Sequence, residues 1–436
     1  MINLYLLKFG NNFMREIIIP PSKSLSNRAL LIGLYEPFYL KNVLKSDDTK
    51  VMLEVLQKLG VDVEVTVENE YAFDVKMKPG QFKDAGDIVE LYVENAGTAA
   101  RFLTVALSFL PGKYRLYGNK RMHERPIKPL IEALEQLGAN IEYETEEGYL
   151  PLLITGKKLA TDVERTCIVD QQISSQYLSG VLLNALFWSG KTIVARSGNM
   201  ISESYVDLTL GMLMDLGFEV QVDHAKNYFM IEGQQKLVKP EYIVEPDFSS
   251  ASYWIARTAV TGEEFLLKDL HLNSLQGDRL FLEVMEKAGV KVEDLEQGIV
   301  VAGTGHLQLP ELIDCTNFPD AAMTLAITAA VSNQKMKLTG IGSLRVKECD
   351  RIEALVTELQ KVGVKAVAGV DSLTVFGVET DLLIAAEIDT YNDHRMAMCF
   401  AIVQLLQPNL VITNPSCVSK TYPTFWDDWG FVDRRG

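Results

Sequence analysis

Amphipathic stretches ending in glycine recur along the chain at a nearly constant spacing, and each is followed by residues that alternate apolar and polar. They read VLQKLGVDVEV around Gly60, ALEQLGANIEY around Gly138, MLMDLGFEVQV around Gly217, VMEKAGVKVED around Gly289, ELQKVGVKAVA around Gly363 and, in degenerate form, FWDDWGF around Gly430. The intervals between these glycines run from 67 to 79 residues, the signature of an internal repeat. Glycine suits the position after a helix because a left-handed backbone costs least without a Cβ. The run Val61-Asp62-Val63-Glu64-Val65 then has the two-residue period of a half-buried strand. Between the glycines lies a second helical series, starting at PSKSLSNRALLIGL, ENAGTAARFLTVAL, QISSQYLSGVLLNAL, DFSSASYWIARTAV, FPDAAMTLAITAA and YNDHRMAMCFAIV. These tails are apolar nearly all round, which predicts buried core helices, whereas their starts are small and polar.

Six such repeats predict a mixed α/β (α+β) chain of two domains with three repeats each. The boundary falls near Lys239-Pro240-Glu241, giving one domain of residues 21–242 and another of residues 243–436 completed by residues 1–20. The first strand, about Arg15 to Ile19, precedes the first helix and is expected to complete the last repeat of the second domain, so that the chain crosses twice.

Composition narrows the partners. With 436 residues, 47% of them hydrophobic, the chain supports more than one core. Its 58 acidic against 42 basic residues give a net charge of -16, which excludes nucleic acid and anionic membrane as general partners. Any anion site must therefore be built locally. Cys167, Cys315, Cys349, Cys399 and Cys417 are scattered and never at C-x-x-C spacing, so neither a disulfide framework nor a zinc site is indicated, and a reducing cytoplasm is expected. The opening MINLYLLKFGNN has too short an apolar run for a secretory segment. Even Leu178 to Trp188 is interrupted by Ser179, Gly180 and Asn184, well short of membrane-spanning length.

The polar helix starts concentrate the candidate chemistry. A helix N-terminus presents free N–H groups and the positive end of the helix dipole, and so takes phosphate or carboxylate. Lys23, Ser24 and Arg28 stand at the first such start, in a stretch like a phosphate loop in residue types but without the G-x-x-x-x-G-K-[ST] pattern of nucleotide binding. Asn95 and Gly97 precede Arg101, and Arg121 and Arg125 flank Met122-His123-Glu124 before Pro126. Ser174, Ser175 and Gln176, then Ser202 and Tyr205, offer hydroxyls and an amide, and Asp320 opens an otherwise apolar helix. Arg345-Val346-Lys347-Glu348-Cys349-Asp350-Arg351 alternates charge, Asn392-Asp393-His394-Arg395 forms another charged mouth, and Lys420 closes the series. Taken singly, each string is equally an ordinary capped helix or a solvated salt-bridged face.

Together and in order, SKSLSNRAL, NAGTAAR, RMHERPI, SSQY, SESYVDLT, DFSSASY, QGD, PDAAMT, RVKECDR, NDHRMAM and KTYP closely resemble the 5-enolpyruvylshikimate-3-phosphate synthase family over nearly the whole chain. The resemblance implies two domains, each of three βαβαββ units, with the active site in the interdomain cleft. It implies transfer of the enolpyruvyl group of phosphoenolpyruvate to the 5-hydroxyl of 3-phosphoshikimate through a tetrahedral intermediate, with release of phosphate. No cofactor and no metal are implied, and the partners are these two small molecules acting on a monomer. Matching the family residue by residue, Lys23, Ser24, Arg28, Ser174, Ser175, Gln176, Ser202, Asp320, Ser343 and Lys347 take 3-phosphoshikimate. Lys23, Asn95, Gly97, Arg125, Gln176, Arg351, Arg395 and Lys420 take phosphoenolpyruvate. Asp320 and Glu348 are the expected proton-transfer groups, for the hydroxyl and the methylene carbon respectively, with Lys23 also placed among the catalytic residues. Asp393 is expected to orient its neighbours and His394 to support the site. The two substrates bring about -5 to -6 in charge, against which seven cations less two carboxylates leave +5. Domain closure on the sugar phosphate would assemble the site and exclude water.

Some positions depart from the family's usual pattern. Glu94 stands where glycine commonly precedes Asn-Ala-Gly, Phe102 where proline follows the arginine, Ser343 and Leu344 where Asn and Trp are frequent, and Ser204 where proline precedes the tyrosine. The rival readings are the sister UDP-N-acetylglucosamine enolpyruvyl transferases, which usually carry a reactive cysteine in the stretch matching Pro111 to Arg125, and a non-catalytic anion-binding protein of the same fold. This chain has no cysteine in that stretch and keeps both carboxylates and all seven cations.

Overall fold

A computed structural model of the chain describes residues 6–9, 12–80, 86–161, 163–198, 201–223 and 227–430. After the hairpin β1 (Leu6–Phe9) and β2 (Asn12–Ile18), the first repeat comprises α1 (Lys23–Ile32), β3 (Phe38–Leu44), α2 (Asp47–Lys58), β4 (Asp62–Glu68) and β5 (Ala72–Lys78). The second comprises β6 (Ile88–Tyr92), α3 (Gly97–Phe109), β7 (Gly112–Tyr117), α4 (Lys128–Gln136), β8 (Asn140–Tyr143) and β9 (Leu152–Gly156). The third comprises β10 (Arg165–Asp170), α5 (Gln176–Ala185), β11 (Lys191–Ser197), α6 (Ser204–Asp215), β12 (Gln221–Asp223) and β13 (Tyr228–Glu232).

The short strand β14 (Glu241–Ile243) leads into the fourth repeat, α7 (Phe248–Thr261), β15 (Glu264–Lys268), α8 (Arg279–Lys287), β16 (Lys291–Leu295) and β17 (Gly298–Ala302). The fifth has β18 (Leu312–Asp314), α9 (Pro319–Ala330), β19 (Lys335–Thr339), α10 (Arg351–Lys361), β20 (Lys365–Ala368) and β21 (Ser372–Phe376). In the sixth, β22 (Glu387–Ile388), α11 (His394–Leu406), β23 (Val411–Ile412) and α12 (Phe425–Trp429) form a reduced version with a two-stranded sheet.

Within each full repeat the first two strands are parallel, as a buried crossover helix requires, and the last two add antiparallel. The glycines that mark the repeat close their helices in the left-handed region: Gly60, Gly138, Gly217, Gly289, Gly363 and Gly430 have φ of 88°, 85°, 87°, 114°, 85° and 80°. The apolar helices α1, α3 and α5 pack on one another, and so do α7, α9 and α11. Every residue of α3 from Gly97 to Phe109 is buried, whereas α2, α4, α8 and α10 bury one face only, so hydrophobic periodicity separates the two classes correctly.

Two compact units result, one of Lys23–Val244 and one of Met1–Ser22 with Glu245–Gly436. Two strands are exchanged between the first and fourth repeats, each pairing inside its own unit. β2 pairs in parallel with β15, Arg15 opposite Phe265 and Ile18 opposite Lys268, and β14 pairs in parallel with β3, Glu241 opposite Tyr39 and Ile243 opposite Lys41. This corrects the expectation that the N-terminal strand completes the last repeat. The last repeat already has its own first strand, β22, beside β23, whereas β15 lacks one because the strand preceding α7 has gone to β3. The pairing of Ile243 with Lys41 also keeps residues 243–244 with the Lys23–Val244 unit, two residues beyond the boundary expected at 242.

Candidate active site

In the Lys23–Val244 unit the predicted residues gather at the starts of α1, α3 and α5. Lys23 is the first residue of α1 and its Nζ lies 3.3 Å from Asp48 Oδ2, a buried carboxylate in the first turn of α2. Arg28, one turn further along, is almost wholly buried. Its Nε donates to Thr209 Oγ1 at 2.8 Å, Nη1 to the Ser24 carbonyl at 2.9 Å and Nη2 to the Tyr205 carbonyl at 3.1 Å. Burial lowers the Arg28 pKa to about 10, so it still carries its charge at neutral pH. Phe102 lies in the core with its ring 5.5 Å from the Arg28 guanidinium, and α3 runs unbroken through it.

The N-terminus of α3 has no side-chain cap. Arg125, also buried, donates from Nη1 to the Asn95 carbonyl and to Asn95 Oδ1, both at 3.0 Å, while Arg101 binds the Gly97 and Pro126 carbonyls. A Cβ on Gly97 would sit 2.5 Å from Arg125 Nη2 and 2.7 Å from Arg101 Nη1, so glycine is what lets two guanidinium groups crowd onto this helix start. Gln176 opens α5 and donates from Nε2 to Thr98 Oγ1 at 3.1 Å, tying that start to α3. Ser174 Oγ accepts from the Gln176 N–H at 3.2 Å, the adjoining Ser175 is buried, and so is Ser202, which precedes α6 with φ 56°. Glu94 has φ 48°, which accounts for the usual preference for glycine there. Ser204 is the first residue of α6, a place where proline is at home.

In the other unit, four cations and three carboxylates interlock. Asp320 follows Pro319 in the first turn of α9, where the helix dipole favours an anion. Its Oδ2 accepts from Arg395 Nη2 at 2.9 Å, and its Oδ1 faces Arg351 Nη1 at 3.1 Å and Lys347 Nζ at 3.5 Å. Glu348 accepts from Arg351 Nη2 at 2.9 Å on Oε2 and faces Lys420 Nζ at 3.1 Å through Oε1. Asp393 is completely buried. It caps α11 through the Arg395 N–H at 2.9 Å and takes Arg351 Nε at 2.7 Å and Nη2 at 3.2 Å. Arg395 Nη1 also reaches Tyr253 OH at 3.4 Å, and His394 is buried with Nδ1 3.7 Å from Asp393 Oδ1. Ser343 is buried in the 3-10 helix Gly342–Val346, and its Oγ has no hydrogen-bond partner among the described residues. The structure does not bond it into this cluster.

These contacts settle which charges dominate. Burial works to raise the Asp320 pKa, but Arg395, Lys347 and Arg351 outweigh it and hold the carboxyl well below its ordinary range. Burial works to lower that of Arg351, and Asp393, Glu348 and Asp320 overturn this, so Arg351 is a permanent cation. Asp278, which precedes α8 and accepts from the Ser249 hydroxyl, is pushed up to about 6 by burial and by the negative charge of Asp320. The sequence-based charge count omitted Asp48 and Asp393. Asp48 offsets Lys23 in one unit and Asp393 offsets Arg351 in the other, so each cluster is less positive than its cations suggest. From sequence alone both aspartates look like helix-start residues, and Asp278 sits in the QGD string with nothing to mark it as buried.

Comparison with known proteins gives one consistent result. The family model for EPSP synthase (3-phosphoshikimate 1-carboxyvinyltransferase) matches residues 8–429. The chain is 39% identical over 422 residues to the 3-phosphoshikimate 1-carboxyvinyltransferase of Vibrio cholerae, covering 96% of this chain and 97% of that one. It is 40% identical over 421 residues to that of Haemophilus influenzae, covering 95% of each. The solved EPSP synthase of Acinetobacter baumannii is similar with a TM-score of 0.74 at 25% identity, over 98% of this chain and 97% of that one.

Proposed function

Because the chain belongs to the EPSP synthase (3-phosphoshikimate 1-carboxyvinyltransferase) family, we propose how its own residues carry the reaction of that family. The protein is a transferase of the shikimate pathway that moves the enolpyruvyl group to 3-phosphoshikimate. On our reading the acceptor is the 5-hydroxyl, which loses its proton as it attacks C2 of phosphoenolpyruvate while C3 gains one, and the tetrahedral intermediate then gives up a proton from C3 as phosphate leaves, which restores the double bond. Lys23, Ser24, Arg28, Ser174, Ser175, Gln176, Ser202 and Lys347 bind the sugar phosphate. Asn95, Gly97, Arg125, Gln176, Arg351, Arg395 and Lys420, with Lys23, bind phosphoenolpyruvate. Ser343, whose buried Oγ has no hydrogen-bond partner among the described residues, is a further candidate contact for the sugar phosphate.

One observation carries the reading: Asp320 and Glu348 share Arg351, while Asp320 has two further cations, Arg395 and Lys347, and Glu348 has one, Lys420. Asp320 so placed is ionised and weakly basic before substrate arrives. Two substrates carrying phosphate and carboxylate groups compete for the same cations, and each cation drawn away raises the proton affinity of the carboxylate it leaves. Asp320 then becomes competent to take the hydroxyl proton, and Glu348, with Lys420 beside it, to manage the proton at C3. Arginine forks suit carboxylate and phosphate in two-point contact, and Lys23, Lys347 and Lys420 act as movable point charges. We take the active form to be a monomer. The five cysteines are buried free thiols, in keeping with a cytoplasmic location. Among the described residues no helix is long and apolar enough to cross a membrane.

The test is phosphate release on mixing the protein with phosphoenolpyruvate and either 3-phosphoshikimate or UDP-N-acetylglucosamine. Turnover is expected with the first acceptor only. Release with the nucleotide sugar alone, or with neither, would overturn the proposal.

A further inference from the structure

Glu358 is a fully buried carboxylate that no step of the reaction above uses. It lies on α10, the helix that begins with Arg351, two turns further along. Its Oε2 accepts from the Asp389 N–H at 3.0 Å and lies 2.7 Å from Lys361 Nζ, and its Oε1 accepts from Tyr391 OH at 2.7 Å. The segment it grips is a strained turn: Tyr391 and Asn392 are consecutive non-glycine residues in the left-handed region, with φ of 53° and 54°. Such a pair persists only where neighbours over-determine it. Asp389 Oδ1 accepts from the Tyr391 N–H at 2.7 Å, and the Thr390 carbonyl accepts from the Asp393 N–H at 2.8 Å. On the far side Asn392 Oδ1 accepts from Asn414 Nδ2 at 2.9 Å, and Asn414 caps the 3-10 helix Pro415–Lys420 that ends on Lys420.

The turn delivers Asp393, which holds Arg351 through two bonds and the Arg395 N–H through a third. A closed circuit follows. Helix α10 presents Arg351 at its first turn, and two turns later it anchors the turn whose aspartate fixes Arg351. We infer that Glu358 is a positioning residue for the reaction: by holding the Tyr391-Asn392 turn in its left-handed form it sets Asp393, and through Asp393 the guanidinium groups that receive phosphoenolpyruvate. The inference rests on the proposed assignment of Arg351 and Arg395 to that substrate. Burial and the Glu358 bond both hold the Tyr391 phenol above its ordinary range, so it stays a proton donor to the carboxylate at any working pH.

The experiment compares steady-state kinetics of Glu358→Gln, Tyr391→Phe and Arg351→Lys with those of the unaltered protein. Glu358→Gln sets an amide where a carboxylate accepts from an N–H, a hydroxyl and an ammonium, whereas Tyr391→Phe removes one bond and leaves the rest. We expect KM for phosphoenolpyruvate to rise about tenfold in Glu358→Gln and about threefold in Tyr391→Phe, the size of a charge-assisted hydrogen bond and of a weaker one. KM for 3-phosphoshikimate should stay within about twofold in both, because most of its proposed contacts lie on residues 23–202. Folded variants with both KM values and kcat as in the unaltered protein would overturn the inference, and so would equal changes in the two KM values. Should Glu358→Gln fail to fold, Tyr391→Phe alone decides. If Arg351→Lys leaves KM for phosphoenolpyruvate unchanged, the substrate assignment fails, an outcome distinct from an unresponsive Glu358.

Discussion

Asp320 and Asp278 carry the same functional group and are driven in opposite directions by their surroundings. Three cations outweigh the burial of Asp320, whereas Asp278 is buried with a serine hydroxyl as partner and Asp320 as a charged neighbour. For Asp320 the folded protein holds the proton less tightly than the unfolded chain. Its contribution to stability is therefore present above the unfolded value of 3.8 and is lost as pH falls below it. For Asp278 the sign reverses. The folded state binds the proton more tightly, so folding is least hindered below 3.8, and the penalty grows as pH rises through about 6. Asp278→Asn is therefore expected to raise the melting temperature at pH 7.5 and to have little effect near pH 4. Thermal unfolding scanned across that range checks it, and a pH-independent gap would count against the stated cause. These directions were not legible in the sequence, because Ser249 and Asp278 come from the fourth repeat, Asp320 from the fifth and Arg395 from the sixth, and only packing makes them neighbours.

At the scale of the element, the helix starts were the most legible feature. Their apolar tails predicted burial, and α3, α9 and α11 are buried almost throughout. What the sequence did not disclose is how tightly some starts are packed. Gly97 enters from sequence only as an expected phosphoenolpyruvate contact, yet the groups nearest an added Cβ are the protein's own guanidiniums. Gly97→Ala should gain helix propensity of about 1 kcal/mol and still push Arg125 from the place where Asn95 holds it. We expect a folded protein with unchanged far-UV circular dichroism and a KM for phosphoenolpyruvate raised about tenfold, equivalent to 1.4 kcal/mol. An unchanged KM would show that Arg125 does not bind that substrate. The turn at Tyr391-Asn392 was only half legible, since Asn takes a left-handed backbone readily but Tyr does not, and the carboxylate that stabilises it lies more than thirty residues earlier.

For the whole molecule, the exchanged strand β2 has the widest consequences. Ile17 is buried opposite Leu267 of β15, and Arg15 donates to the Asp428 carbonyl with its guanidinium 5.4 Å from the Trp254 ring. β2 thus joins the fourth repeat to α12, just beyond Lys420. Ile17→Ala should cost about 2–4 kcal/mol. Because Trp254, Trp426 and Trp429 lie in the same compact unit and only Trp188 in the other, tryptophan fluorescence during urea unfolding should show the loss as a lower midpoint. An unaltered midpoint would mean that β2 is dispensable to that unit.

The sequence by itself determined the repeat, the two kinds of helix and the set of residues that resemble a known family, since these depend on local periodicity and on the order of short strings. Tertiary structure alone decided which sheet receives β2 and β14, which aspartates neutralise the cations, and which carboxyl is held ionised. Strand partners and proton affinities are set by groups brought close from distant parts of the chain, and no window of sequence contains them.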